Sequence, residues 1–228
     1  MRPSLTVAVA QPPVVSHDLV ANVATHAAVV RAAGTRLVVF PEMSLTGYEL
    51  EASTVDIGDP RLASLVEACA AAGAVALVGA PIEGPHIAML AVDGGGVTVA
   101  YRKLNLAGGE PARFVPGAKP EVYEVDGWCL GLAICKDTGV PQHAADTAAL
   151  GIDAYVAGVA EDRPDVLEER AHRIASTHGV WVAVASFAGP TGGGFAATAG
   201  RSSIRTPTGE VVAQAGAAPG EVVRATLS

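Results

Sequence analysis

The chain reads as an α/β protein in which sheets are covered by helices, not as an all-β sandwich. Strand–helix–strand patterns stand at both ends, with hairpin signals in the middle and near the C-terminus. Several short runs are almost wholly apolar and lack the polar alternation of a half-exposed strand. Composition agrees: 50% hydrophobic and 17% charged residues describe a packed globular body. At 228 residues the chain is expected to form one domain, 1–228, with a substantial core. Aromatic residues are only 4%, so Ala, Val and Leu must fill that core.

Leu5 to Gln11 is predicted as a first buried strand. After Pro12-Pro13, Ser16 is expected to cap a helix running to about Ala33, with Leu19, Val20, Val23, Ala27 and Val30 at helical spacing and Gly34 ending it. A strand from Arg36 to Phe40 follows, then a helix near 61–72 stopped by Gly73. Strands are predicted at 74–78 and 87–92, and Asp93-Gly94-Gly95-Gly96 turns the chain into a strand over 97–102. Residues 104–119 have no clear period and read as a loop of functional length. Strands at 121–125 and 128–134 are joined by the tight turn Asp126-Gly127. A helix at 140–150, a strand at 154–159, a helix at 165–177 and a strand at 181–187 come next. The Gly-rich stretch 189–194 lacks phosphate-loop spacing and reads as a mobile loop before three strands near 201–206, 210–214 and 221–225.

Charge and composition exclude several functions. A net charge of −8 argues against a nucleic-acid partner, which needs clustered Lys and Arg. No apolar run approaches the ~20 residues of a membrane span, and Met1-Arg2-Pro3 leads straight into a strand, so neither a signal peptide nor an anchor is expected. Cys69, Cys129 and Cys135 leave at least one thiol unpaired, which points to a reducing cytoplasm. The six histidines (His17, His26, His86, His143, His172, His178) are scattered, so no structural metal is expected.

Three residues stand where buried strands end. Cys135 follows the apolar run 128–134 and precedes Lys136-Asp137-Thr138-Gly139, a stretch with turn chemistry. Glu42 closes the run 37–41, and Lys103 closes the run 97–102. A thiol mounted this way becomes a nucleophile if a base or cation assists it. A carboxylate serves when burial raises its pKa towards neutrality, and a lysine beside both can hold a developing oxyanion. His143 and His178 are alternative bases, as in a Cys–His hydrolase, but neither lies just past a strand. Cys69 and Cys129 read as packing residues; Arg170, His172 and His178 as a helix surface or its end; Arg201 as a salt-bridge or pocket residue.

Phe40-Pro41-Glu42, Arg102-Lys103-Leu104-Asn105-Leu106 and Ile134-Cys135-Lys136-Asp137 resemble the three motifs of the nitrilase superfamily of carbon–nitrogen hydrolases, which use a Glu-Lys-Cys triad. The resemblance extends to Ser44-Leu45-Thr46-Gly47-Tyr48, to Glu110 with Phe114-Val115-Pro116-Gly117, and to the segment from Gly200 to Val211, so it spans essentially the whole chain. It implies a four-layer α-β-β-α sandwich, assembled as a homodimer or higher homo-oligomer. It implies that Glu42 is the general base, Cys135 the nucleophile that forms a thioester, and Lys103 the oxyanion partner. Glu110 would support the site, the Lys136 backbone N–H would join the oxyanion hole, and Lys136 and Tyr48 would contact substrate. The implied reaction is hydrolysis of a small linear amide, with no metal or organic cofactor. N-carbamoyl hydrolysis and nitrile hydrolysis are close alternatives, and a non-catalytic binding or assembly member is one of a different class. Lys136 stands where the family most often has an aromatic residue, Asn105 where it often has His, and Val140-Pro141-Gln142 where it often has Phe-Pro-Glu. If the Lys136 ammonium enters the pocket, polar or acidic amides would be preferred.

Overall fold

A computed structural model describes residues 3–228, so the expectation about Met1 and Arg2 lies outside the described residues. The chain builds two six-stranded mixed sheets. In the first, β1 (Leu5–Ala10), β2 (Leu37–Val39) and β3 (Val75–Ile82) run parallel, followed by the antiparallel β4 (His86–Asp93) and β5 (Gly96–Arg102). In the second, β6 (Val122–Val125) pairs antiparallel with β7 (Trp128–Ile134), which runs parallel to β8 (Ala154–Val159) and β9 (Trp181–Ser186). A two-stranded ribbon, β10 (Ala188–Gly189) with β11 (Thr198–Ala199), interrupts the return. β12 (Ser203–Arg205) and β13 (Val211–Gln214) then extend the second sheet, and β14 (Val222–Leu227) crosses back to pair with β1.

Side-chain alternation along these strands sorts the core into three layers. Val7, Val9, Leu37, Val39 and Leu77 of the first sheet meet Leu130, Leu132, Ile134 and Val156 of the second in a central apolar layer. The opposite face of the first sheet, including Ala8, Val38, Ala76 and Val78, packs under α1 (Leu19–Ala33) and α2 (Ala63–Ala72). The opposite face of the second, including Ala133, Tyr155, Ala157 and Val182, packs under α3 (Pro141–Ala148) and α4 (Pro164–His178). The result is the α-β-β-α sandwich. No helix among the described residues is long and apolar enough to cross a membrane.

Most departures from the predicted elements are at ends. Asp18, not Ser16, caps α1: its carboxylate accepts from Ala21 N at 3.0 Å, while Ser16 donates to Glu49. β3 runs on through Pro81 to Ile82, beyond the predicted end at 78, because β4 pairs with its whole length. A 3₁₀ turn over Glu110–Ala112 lies inside the predicted loop 104–119. The Gly-rich stretch is tethered: Tyr48 N donates to Thr191 O at 2.8 Å, and the ribbon of β10 and β11 closes its base. The turn at Asp126-Gly127 forms as predicted, with φ of 50° and 80°.

Candidate active site

The site lies at the C-terminal ends of β2, β5, β7 and β8, where the two sheets open. The turn that carries Glu42 must run across the backbones of β3 and β8 to get there. It crosses at glycines: a Cβ on Gly79 would stand 2.1 Å from Met43 N, and one on Gly158 would stand 2.6 Å from Phe40 O. Side chains at these two positions would push Glu42 out of place.

Glu42, Lys103 and Glu110 are all fully buried, and they share one ammonium. Lys103 Nζ donates to Glu42 Oε1 and to Glu110 Oε1, each at 2.6 Å. Glu110 is held in turn by Tyr48 Oη at 2.6 Å and by Ala107 N at 2.8 Å. Glu42 differs, because its Oε2 is buried without a hydrogen-bond partner. Cys135 is the group that faces this carboxylate; the contact contributes to holding the Glu42 pKa down. In this conformation the thiol donates to Ala160 O at 3.2 Å instead, so rotation of the S–H about the Cβ–Sγ bond would redirect the proton.

Electrostatics give the three groups distinct resting states. Burial pushes the Glu42 pKa up to about 7, with the nearby Lys103 charge opposing and that of Glu110 adding to it. Burial likewise raises the Cys135 thiol well above its ordinary value, and the Glu42 charge adds to the effect while Lys103 opposes it. Burial alone would lower the Lys103 pKa, yet the charges of Glu42, Cys135 and Glu110 outweigh it and hold the amine above its ordinary value. The cluster therefore rests as a neutral thiol, a persistent ammonium and a carboxyl group able to exchange a proton near neutrality.

Cys135 is half-buried, and its backbone has φ of 41°, a left-handed conformation unusual for a residue with a side chain. This elbow turns the thiol into a cavity of about 370 Å³, which Lys103, Glu110, Tyr48 and Lys136 also border. Tyr48 gives its hydroxyl to Glu110, so its ring forms the wall. Lys136 is exposed at the rim.

His143 and His178 do not join the thiol. His143 is buried between Tyr101 Oη at 2.9 Å and Tyr155 Oη at 3.0 Å, which occupy both ring nitrogens, and burial lowers its pKa. His178 ends α4 beside Pro141 and Gln142, in a separate depression. Arg170, expected on a helix surface, instead borders the cavity and pairs with Glu161 at 3.2 Å. Arg201 pairs with Glu168 at 2.8 Å. Sequence reasoning also missed Phe195, which the tethered loop carries to the cavity wall against Tyr48. It missed Asp137 as a site residue too, although the signal was there: the residue belongs to the quoted motif around Cys135.

Comparison with known proteins agrees with this architecture. A family model described as carbon-nitrogen hydrolase matches residues 6–228. A Pseudomonas protegens protein described as a hydrolase in the pqqF 5′ region is 31% identical over 205 residues, covering 84% of this chain and 71% of that one. Among solved structures, an amidase from Nesterenkonia sp. superposes with a TM-score of 0.88 at 24% identity, covering all of this chain and 92% of the other. Nit3 of Saccharomyces cerevisiae, a nitrilase-superfamily member, does so with a TM-score of 0.86 at 22% identity, over 99% of this chain and 90% of its own.

Proposed function

Since this chain belongs to the carbon–nitrogen hydrolase family, we propose that it hydrolyses the C–N bond of a small linear amide through a thioester on Cys135. The observation that carries this reading is the buried contact of Glu42, Lys103 and Glu110, with the one unpartnered carboxylate oxygen left on the side of the thiol.

In the reaction, Cys135 Sγ attacks the amide carbonyl carbon as its proton passes to Glu42. The raised thiol pKa means that no thiolate is stored beforehand, so attack and proton transfer proceed together. Negative charge gathers on the carbonyl oxygen, where the Lys103 ammonium and the Lys136 backbone N–H receive it. Glu42 returns its proton to the leaving nitrogen, the C–N bond breaks, and ammonia or an amine departs. Glu42 then takes a proton from water as the water oxygen attacks the thioester. The carboxylic acid leaves and the sulfur recovers its proton. Glu110, held by Tyr48 and Ala107, keeps Lys103 aimed. In a crystal structure of the Nesterenkonia amidase, acrylamide has added to the active-site cysteine by Michael addition, so a short amide reaches the sulfur in that relative.

A panel of amides, nitriles and N-carbamoyl amino acids, read by ammonia release and by the intact mass of the acylated protein, tests the proposal. Ammonia from amides with an acyl adduct on Cys135 is expected. Turnover confined to nitriles or carbamoyl compounds would change the substrate class, and an inert thiol without turnover would leave a binding module. Lys136 at the rim sets a finer expectation. A Lys136→Met variant should lose roughly threefold in the preference for anionic over neutral amides, and an unchanged ratio would discard that role. We also assign the protein to a reducing cytoplasm, on the strength of three free cysteines. The homodimer rests on the resemblance and is tested by light scattering.

A further inference from the structure

We infer that Asp137 is a positioning residue of the reacting centre, tying the turn that carries Cys135 to both flanks of Lys103. The inference deepens the hydrolase reading and rests on it for its meaning in turnover.

The Asp137 carboxylate is completely buried and accepts four hydrogen bonds. Oδ2 accepts from Ile134 N at 3.0 Å and from Tyr101 Oη at 2.8 Å. Oδ1 accepts from Asn105 N at 2.8 Å and Asn105 Nδ2 at 2.9 Å. Ile134 precedes the nucleophile, whereas Tyr101 and Asn105 lie two residues before and two residues after Lys103. One side chain thus grips the elbow and both sides of the lysine, two segments that meet at the cavity from different sheets. The elbow needs such a grip, because Cys135 stands at φ of 41° and Asp137 is what receives the preceding backbone N–H.

Full charge neutralisation is not what holds the carboxylate. Its basic neighbour is His143, with Nε2 at 3.9 Å, and burial keeps that imidazole neutral by lowering its pKa. Neutral donors do the work, and each is aimed by covalent connection to a reacting segment. Asparagine cannot replace aspartate here. Each carboxylate oxygen accepts two donors, so an amide in either orientation would set its NH₂ against two other donors.

The test compares wild type with Asp137→Asn, Tyr101→Phe and Asn105→Ala. It measures the iodoacetamide alkylation rate of Cys135 across pH, kcat and KM on an amide, and urea stability. For Asp137→Asn, kcat should fall about 100-fold with KM little changed, as for a reacting group displaced by about 1 Å, and the pH profile of alkylation should shift. Tyr101→Phe and Asn105→Ala each remove one donor and should each cost about tenfold in kcat. A loss of stability with wild-type kcat and alkylation profile in Asp137→Asn would overturn the inference. If that variant does not fold, wild-type kcat and alkylation in both single-donor variants would overturn it. Should wild type itself turn over no amide while the alkylation contrast persists, the hydrolase reading fails and the positioning role stands.

Discussion

Two buried polar clusters lie side by side between the sheets, and they are finished in opposite ways. Around Asp137, each carboxylate oxygen has two donors, and the chain of contacts runs on through Tyr101 and His143 to Tyr155 with both ring nitrogens engaged. Around Lys103, one ammonium serves two carboxylates, and Glu42 Oε2 has no partner. A buried polar atom without a partner is costly, and folding alone gives no reason to keep one. The closed cluster behaves as framework. The open one retains a vacant acceptor beside a thiol, which is what a general base requires. Burial sharpens the contrast: it raises Glu42 to about 7 while the neighbouring Lys103 stays charged.

The largest expected effect comes from filling the open position with the wrong chemistry. Glu42→Gln keeps the shape and removes the base, so kcat/KM should fall by about 10³-fold, while urea denaturation shows a folded protein. Activity within a few fold of wild type would remove Glu42 from the proton path. The pH dependence is a second break point. With Glu42 near 7 in the fold, wild-type kcat/KM should rise with pH along an acid limb centred near 7. Stability should move the other way. A carboxyl raised from 4.5 to about 7 on folding is bound more tightly to its proton in the native state. Its contribution is fully present below about pH 4.5 and is lost as pH rises through about 7. Subtracting the stability–pH curve of Glu42→Gln from that of wild type should isolate this slope, and parallel curves would contradict the raised pKa.

Most of this architecture was legible in the sequence because buried strands and their abrupt ends leave a strong local trace. The run 128–134 and the polar turn behind it located Cys135, and the resemblance linked it to Glu42 and Lys103. What was not legible depended on distant partners. Ser16 and Asp18 are both good caps, and Glu49, far along the chain, takes the Ser16 hydroxyl. Arg170 has the spacing of a surface residue on α4, and Glu161 with the cavity beside Gly139 draws it inward. Three glycines in a row read as freedom, yet Tyr48 and Glu49 hold that loop by backbone contacts that no local pattern records. Asp137 was visible as a motif letter, but its partners are separated by more than thirty residues in sequence, at Tyr101 and Asn105.

The mildest perturbation probes the far end of the closed cluster. Tyr155 is fully buried in β8 and donates to His143 Nδ1, which lets Nε2 donate to Tyr101. Tyr155→Phe keeps the ring in the apolar layer under α3 and α4 and removes only the hydroxyl. Thr147 Oγ1, at 3.5 Å from His143 Nδ1, is a poor substitute because its own proton goes to His143 O at 2.7 Å. The lost bond should lower stability by about 1 kcal/mol, measured by urea denaturation, with kcat within about twofold of wild type because Asp137 keeps all four of its donors. A large fall in kcat with stability intact would mean that the framework cluster reaches the reacting atoms through His143, and the division between the two clusters would have to be redrawn.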